Sequence, residues 1–360
     1  SDASLRLISR NQKRFPKEIR TNGARGHEVI TRIWPDPGQE TLRIAQEITG
    51  YLRAGYAPSD IAVLYRTNAG PRLLIGRLME YNIPFRTRDA VPNLFEHWIS
   101  ANILTYIRIA MGSRSREDFL KIINRPKRYI SRDSFRQETV SFEELKACYA
   151  DKDWILDRIE SLEYDLRALG RMSPLAAVNY IRQGMNYDSY LREYAAFRRM
   201  KPEELFETAD QLRESAAAFE TFDAWFAHIS EYGRELKRQA SMRQADADAV
   251  TLATMHSAKG LEFKAVYILD ANEGVTPHSK AVLEDDIEEE RRLFYVAMTR
   301  AKERLHVYAS QERSHKKADL SRFVEEYLDK GNEAGAAGGC GRPDGFMGRA
   351  AGAAAQGPCG

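Results

Sequence analysis

Apolar positions in the first hundred residues alternate between two periods. Over Glu40–Leu52, the residues Leu42, Ala45, Ile48 and Leu52 recur at the spacing of one helix face. Gly55 and Pro58 stop that pattern. Ile61-Ala62-Val63-Leu64-Tyr65 follows as an unbroken apolar run of strand length, as expected of a parallel strand buried on both faces. Leu74, Leu78 and Tyr81 then share a helix face within Leu73–Tyr81, and Pro84-Phe85-Arg86 restarts an extended segment. This is β-α-β patterning.

From about residue 115 the period is helical throughout, over Phe142–Tyr149, Trp154–Leu169, Pro202–Phe219 and Phe222–Ile229. Strand patterns return at Val250–Met255 and Ala265–Leu269. A helix over Ile287–Ala301 then leads to the alternating Leu305-His306-Val307-Tyr308. The expected organisation is an α/β domain (27–140 and 246–330) interrupted by an all-helical insertion (141–245). Residues 1–26 are basic and poorly periodic and read as a linker, and the Gly/Ala-rich tail 331–360 reads as disordered.

The 360 residues suffice for two domains with real cores. No apolar run reaches 18 residues and mean hydropathy is -0.52, which excludes a membrane-spanning helix. There is no starting Met and no signal-peptide pattern, so the chain is expected to begin inside a longer protein. Cys148, Cys340 and Cys359 are too scattered for a disulfide framework or a zinc cage, and no metal site is expected. A reducing, cytoplasmic setting fits. Net charge is only +2, so local excess must point to partners. One such excess, Lys121 to Arg136, carries Arg125, Lys127, Arg128 and Arg132 with Phe119, Tyr129 and Phe135 interleaved, the composition of a surface that holds nucleic-acid phosphates.

Three segments could carry chemistry. Tyr65-Arg66-Thr67-Asn68 sits at the carboxyl end of a buried strand, where open α/β sheets bind ligands. A ring beside a guanidinium suits a base and its phosphate. Thr254-Met255-His256-Ser257-Ala258-Lys259-Gly260-Leu261-Glu262 leaves a strand through small residues whose backbone N–H groups can face an anion. It is no phosphate-binding P-loop, because GxxxxGK[ST] occurs nowhere in the chain. On the third, Leu293, Val296, Ala297 and Arg300 share one helix face, and a cation ending an apolar stripe calls for a partner.

Together the segments resemble superfamily 1 DNA helicases of the UvrD/Rep/PcrA type, over roughly residues 5–330. "VLYRTNAGPRLL" (63–74) looks like helicase motif IV, "VTLATMHSAKGLEFKAVYIL" (250–269) like motif V and "EEERRLFYVAMTRAKERL" (288–305) like motif VI. The segment 87–103, "TRDAVPNLFEHWISANI", lacks the paired glycines of the family at that point. The resemblance implies the second RecA-like domain, with its accessory helical subdomain, of a 3′-to-5′ helicase acting in DNA repair or replication. Such a motor closes two RecA-like domains on ATP with Mg²⁺ and runs single-stranded or junction DNA across both. It further implies that Tyr65 stacks on adenine, that Arg66 and Arg300 reach the γ-phosphate, and that Glu262 with Gly260 meets the ribose. Thr254, His256 and Ser257 would lie along the DNA backbone. The first RecA-like domain, with its phosphate loop and Mg²⁺ ligands, is the missing partner, and the chain alone is expected to lack ATPase activity. The alternative is a non-catalytic DNA-binding or scaffold module with the same fold.

Overall fold

Six strands, all paired in parallel, run in the order β1-β6-β5-β2-β4-β3. They are β1 (Ile30–Trp34), β2 (Ile61–Tyr65), β3 (Phe85–Thr87), β4 (Val250–Thr254), β5 (Phe263–Ile268) and β6 (Ala301–Ser310). The computed structural model describes residues 2–13, 27–241, 248–313 and 316–329. The expectations for residues 14–26 and for the tail from 330 lie outside these.

Parallel strands need crossover connections, and the helical periods supply them. Helix α1 (Asp2–Ser9) precedes the sheet, α2 (Pro37–Arg53) links β1 to β2, and α3 (Arg72–Glu80) links β2 to β3. The Asp36 carboxylate accepts from Gln39 N–H at 2.8 Å and Pro37 opens the first turn, so α2 starts where its sequence caps it. Every β2 side chain is buried. Ile61, Val63 and Tyr65 enter one core while Ala62 and Leu64 enter the other, which accounts for the unbroken apolar run.

Between β3 and β4 the chain is helical: α4 (Trp98–Ala110), α5 (Arg116–Ile122), α6 (Phe142–Ala147), α7 (Asp153–Leu169), α8 (Pro174–Asn179), α9 (Tyr187–Arg198), α10 (Pro202–Ala216) and α11 (Phe222–Ser241). Helices therefore begin well ahead of residue 115. The core on the Val63 face of the sheet continues into this block through Ile99, Ile103, Tyr106, Leu205 and Trp225. Returning through β4 and β5, the chain forms α12 (Glu284–Met298), β6 and α13 (Arg322–Leu328).

Two elements depart from the expected pattern. β1 reads Ile-Thr-Arg-Ile-Trp and lies at the sheet edge with partly exposed side chains, so its apolar signal is diluted. Asp2–Ser9 forms a docked helix: Leu7 is fully buried with Phe323 and Val324, and Arg6 Nε donates to the Tyr327 carbonyl at 2.8 Å. Asn11 extends this docking, donating to the Glu288 carbonyl at 2.9 Å and accepting from Arg291 at 2.6 Å.

Candidate nucleic-acid groove and nucleotide edge

At the carboxyl ends of β2 and β4 lies an open groove of ≈ 740 Å³. Arg66, Thr67 and Asn68 form one side, continuing directly from β2, and Thr254, His256 and Ser257 form another, leaving β4. His278, Lys280 and the first turns of α12 close it. β2 and β4 are neighbours, and Met255 N–H extends their ladder by donating to the Tyr65 carbonyl at 2.9 Å. Register thus places Arg66 beside the β4 turn, although Thr254 comes 188 positions after Arg66 in the chain.

Carboxylates hold this groove in a set arrangement. Arg66 grips Glu290 with its fork, Nε to Oε2 at 2.8 Å and Nη2 to Oε1 at 2.6 Å. Glu290 Oε2 also accepts from His278 N–H at 3.1 Å. Burial opposes ionisation of Glu290, yet the Arg66 and His278 hydrogen bonds hold its carboxyl below the usual range. Burial, and next the Arg66 charge, push the His278 imidazole down. Asp89 ties the opposite wall: it accepts from Thr254 N–H at 2.8 Å and from Ser257 Oγ at 2.5 Å. The Thr254 hydroxyl donates to Ser257 Oγ at 3.0 Å, so turn, hydroxyls and carboxylate form one network. His256 and Asn68 remain exposed.

Arg300 lies elsewhere. Helix α12 runs back along the sheet, so the residues after it reach the amino edge, where Phe263 N–H donates to the Arg300 carbonyl at 2.9 Å. Its guanidinium donates from Nε to the Val296 carbonyl at 2.9 Å, from Nη1 to the Leu261 carbonyl at 3.0 Å and from Nη2 to Thr299 Oγ1 at 3.0 Å. These bonds cap the helix and tie it to the segment holding Gly260 and Glu262. Gly260 has φ +84°, a conformation that other residues adopt at a cost, and Glu262 pairs with Lys302 at 3.1 Å on the surface.

Three placements differ from the expected ones. Arg66 and Arg300 do not share a cleft. At about 3.3 Å per strand residue, the two edges they occupy stand roughly 20 Å apart. Tyr65, expected to stack on adenine, is fully buried in the core, with a hydroxyl that finds no hydrogen-bond partner among the described residues; burial, then the Asp89 charge, push its phenol up. Arg128, expected at a DNA phosphate, turns inward over the Tyr106 ring and donates to the Tyr106 hydroxyl at 2.9 Å and the Ile123 carbonyl at 3.1 Å. It holds the end of α5 together. Arg125, Lys127 and Arg132 stay exposed. Asp89, His278 and Glu290 are groove residues that sequence reasoning misses. The missing glycines of segment 87–103 mark the neighbourhood of Asp89, while Glu290 is hidden in a run of acids that reads as a solvated helix start.

The model of the UvrD-like helicase C-terminal domain matches residues 1–312. The chain belongs to that family. Among its relatives, YjcD of Bacillus subtilis is 29% identical over 91% of the chain. The ATP-dependent DNA helicase PcrA of Staphylococcus epidermidis and the ATP-dependent DNA helicase Rep of Escherichia coli are each 28% identical over 85% of it. The matched region spans 44%, 44% and 48% of these three relatives, so the chain covers less than half the length of each. Family and sheet agree: the fold is the α/β, RecA-like fold of the UvrD-like helicase C-terminal domain, with helices inserted between β3 and β4.

Proposed function

We propose that this chain is the C-terminal part of an ATP-dependent 3′-to-5′ DNA helicase, with single-stranded DNA in the carboxyl-edge groove and nucleotide at the amino edge. The strand region, 27–140 and 246–330, acts as the second motor domain, and 141–245 as an accessory subdomain. The observation that carries the reading is the convergence of Arg66, Thr254, His256 and Ser257 on one groove while Arg300, Gly260 and Glu262 meet at the other edge. DNA phosphates would meet Arg66 and the hydroxyls, and exposed Asn68 and His256 would contact the strand.

ATP would be completed by a first RecA-like domain carrying the phosphate loop. Arg300 uses three of the five N–H groups of its guanidinium on the helix end and Leu261, so donors remain for a γ-phosphate. Among the described residues no group of three or more His, Cys, Asp or Glu side chains could hold a metal ion, and Mg²⁺ in this reading is held by the first domain. No described helix is long and apolar enough to cross a membrane.

The test joins this chain to a first domain bearing GxxxxGK[ST]. The joined protein should hydrolyse ATP under stimulation by single-stranded DNA and move 3′ to 5′, while the chain alone binds the strand without hydrolysis. DNA binding with no stimulated hydrolysis in the joined protein would leave a binding module and end the motor reading.

A further inference from the structure

Away from the groove, Tyr129 and Trp154 expose 59% and 50% of their surface, and the Arg158 guanidinium lies over both, 5.0 Å and 5.3 Å from the ring centroids. The rings meet edge-on at 5.7 Å. Trp154 and Arg158 stand one turn apart on α7, whereas Tyr129 comes from the loop after α5 with φ 60°, a left-handed backbone that aromatic residues rarely adopt. Arg158 Nη1 also donates to the Lys127 carbonyl at 3.3 Å, pinning that loop to the helix. Two large rings are thus fixed at the surface instead of being turned into the core. We propose that Tyr129, Trp154 and Arg158 form a stacking platform for an unpaired nucleobase; this rests on the DNA-binding function proposed for the groove and adds a second contact to it.

Trp, Tyr and Arg also anchor protein partners. The flanking charges favour nucleic acid: Lys127, Arg132 and Arg136 are exposed, and they make no ion pair among the described residues. Asp153 and Asp157 sit on the same helix as Trp154, so the attraction there rests on ring faces more than on net charge. A duplex keeps its bases stacked on each other, and only an unpaired base offers a free face.

The test uses the full chain with two probes, an oligodeoxythymidylate of roughly ten nucleotides and an abasic strand of equal length. Tyr129→Ala with Trp154→Ala should weaken thymidylate binding about tenfold or more and leave abasic binding unchanged. The log–log salt slope should also stay fixed, because no phosphate contact is lost. Trp154→Phe should bind nearly as the unsubstituted chain and Trp154→Leu should not; this pair keeps the test decisive if the double variant fails to fold. Equal losses on both strands, no loss on thymidylate, or a change in self-association in place of DNA affinity would each overturn the platform. If the unsubstituted chain binds neither strand, the DNA reading falls with it; if it binds thymidylate and the variants are silent, the platform alone falls.

Discussion

Arg66 and Arg300 close the two ends of one sheet, and their partners differ in kind. Arg66 is gripped by the Glu290 carboxylate, a group with the charge and planar geometry of a competing anion. Arg300 is held by the Val296 and Leu261 carbonyls and a hydroxyl, which position it without neutralising it. An arginine held by a carboxylate has its charge largely neutralised and attracts a phosphate weakly until that pair opens. One held by carbonyls presents its whole charge in a fixed direction, the arrangement that electrostatic stabilisation of a transition state requires. Under the proposed function, the amino edge is the ready one and the carboxyl edge the switched one.

The largest effect should come from the ready edge. In the two-domain protein, Arg300→Ala should lower the DNA-stimulated ATPase kcat at least about a hundredfold, since arginines of this type contribute on the order of 10³–10⁵ in rate. It should also lower stability by about 1–3 kcal/mol through the lost helix-end bonds, so assays belong well below the melting temperature. Arg300→Lys should rescue little, because an ammonium cannot reproduce the fork. Near-normal kcat in the Ala variant would place the γ-phosphate elsewhere.

At the switched edge, Glu290→Gln should free Arg66 and tighten single-stranded DNA binding by about tenfold, steepening the log–log salt slope by roughly 0.7 for one added phosphate contact. kcat at saturating DNA should stay within about twofold, which separates the edges; a fall in kcat as large as that of Arg300→Ala would show that they act as one site. Asp89→Asn should act in the same direction but less, by about two- to fivefold, because one partly solvated charge is removed from the groove wall. Unaltered affinity would leave Asp89 as a brace for the turn and nothing more.

The edges also differ in how far the sequence disclosed them. β2 and the Ala265–Ile268 part of β5 were legible because they are buried on both faces, and a short uninterrupted apolar run bounded by turn residues suits little besides a buried strand. β1 was not, because an edge strand with two exposed side chains carries half the signal. Helix α1 escaped because its one fully buried apolar residue, Leu7, docks on elements far along the chain, Phe323 and Val324 among them. The residues Thr254, His256 and Ser257 could be grouped as a candidate loop, but their pairing with Arg66 depends on β2 lying beside β4. The direction of α12 decided the rest: a helix running back along the sheet carries Arg300 to the opposite edge from Arg66, and local spacing holds no trace of that. Arg128 shows the same limit, since a cation in a basic run looks alike whether it faces water or caps α5.

The smallest effect is also the most direct comparison of the two arginines, because Arg66 is hydrogen-bonded to a titratable carboxylate and Arg300 to carbonyls and a hydroxyl. Glu290 is held below the usual carboxylate range, so the Arg66 pair contributes fully above the unfolded value near 4.5 and is lost as pH falls through the lower folded value. Among the described residues Arg300 has only carbonyl and hydroxyl hydrogen-bond partners, and these bonds should be indifferent over the same window. Two amides report the difference: His278 N–H donates to Glu290, and Phe263 N–H donates to the Arg300 carbonyl. From pH 7 down to the acid side of 4.5, the hydrogen-exchange protection of His278 should fall by a few-fold, about 1 kcal/mol, after correction for the intrinsic rate. Protection of Phe263 should stay level. In Glu290→Gln the His278 amide should already be less protected at pH 7 and should lose its pH dependence. If that dependence survives the substitution, the titrating group is another one, and the carboxyl edge is not switched through Glu290.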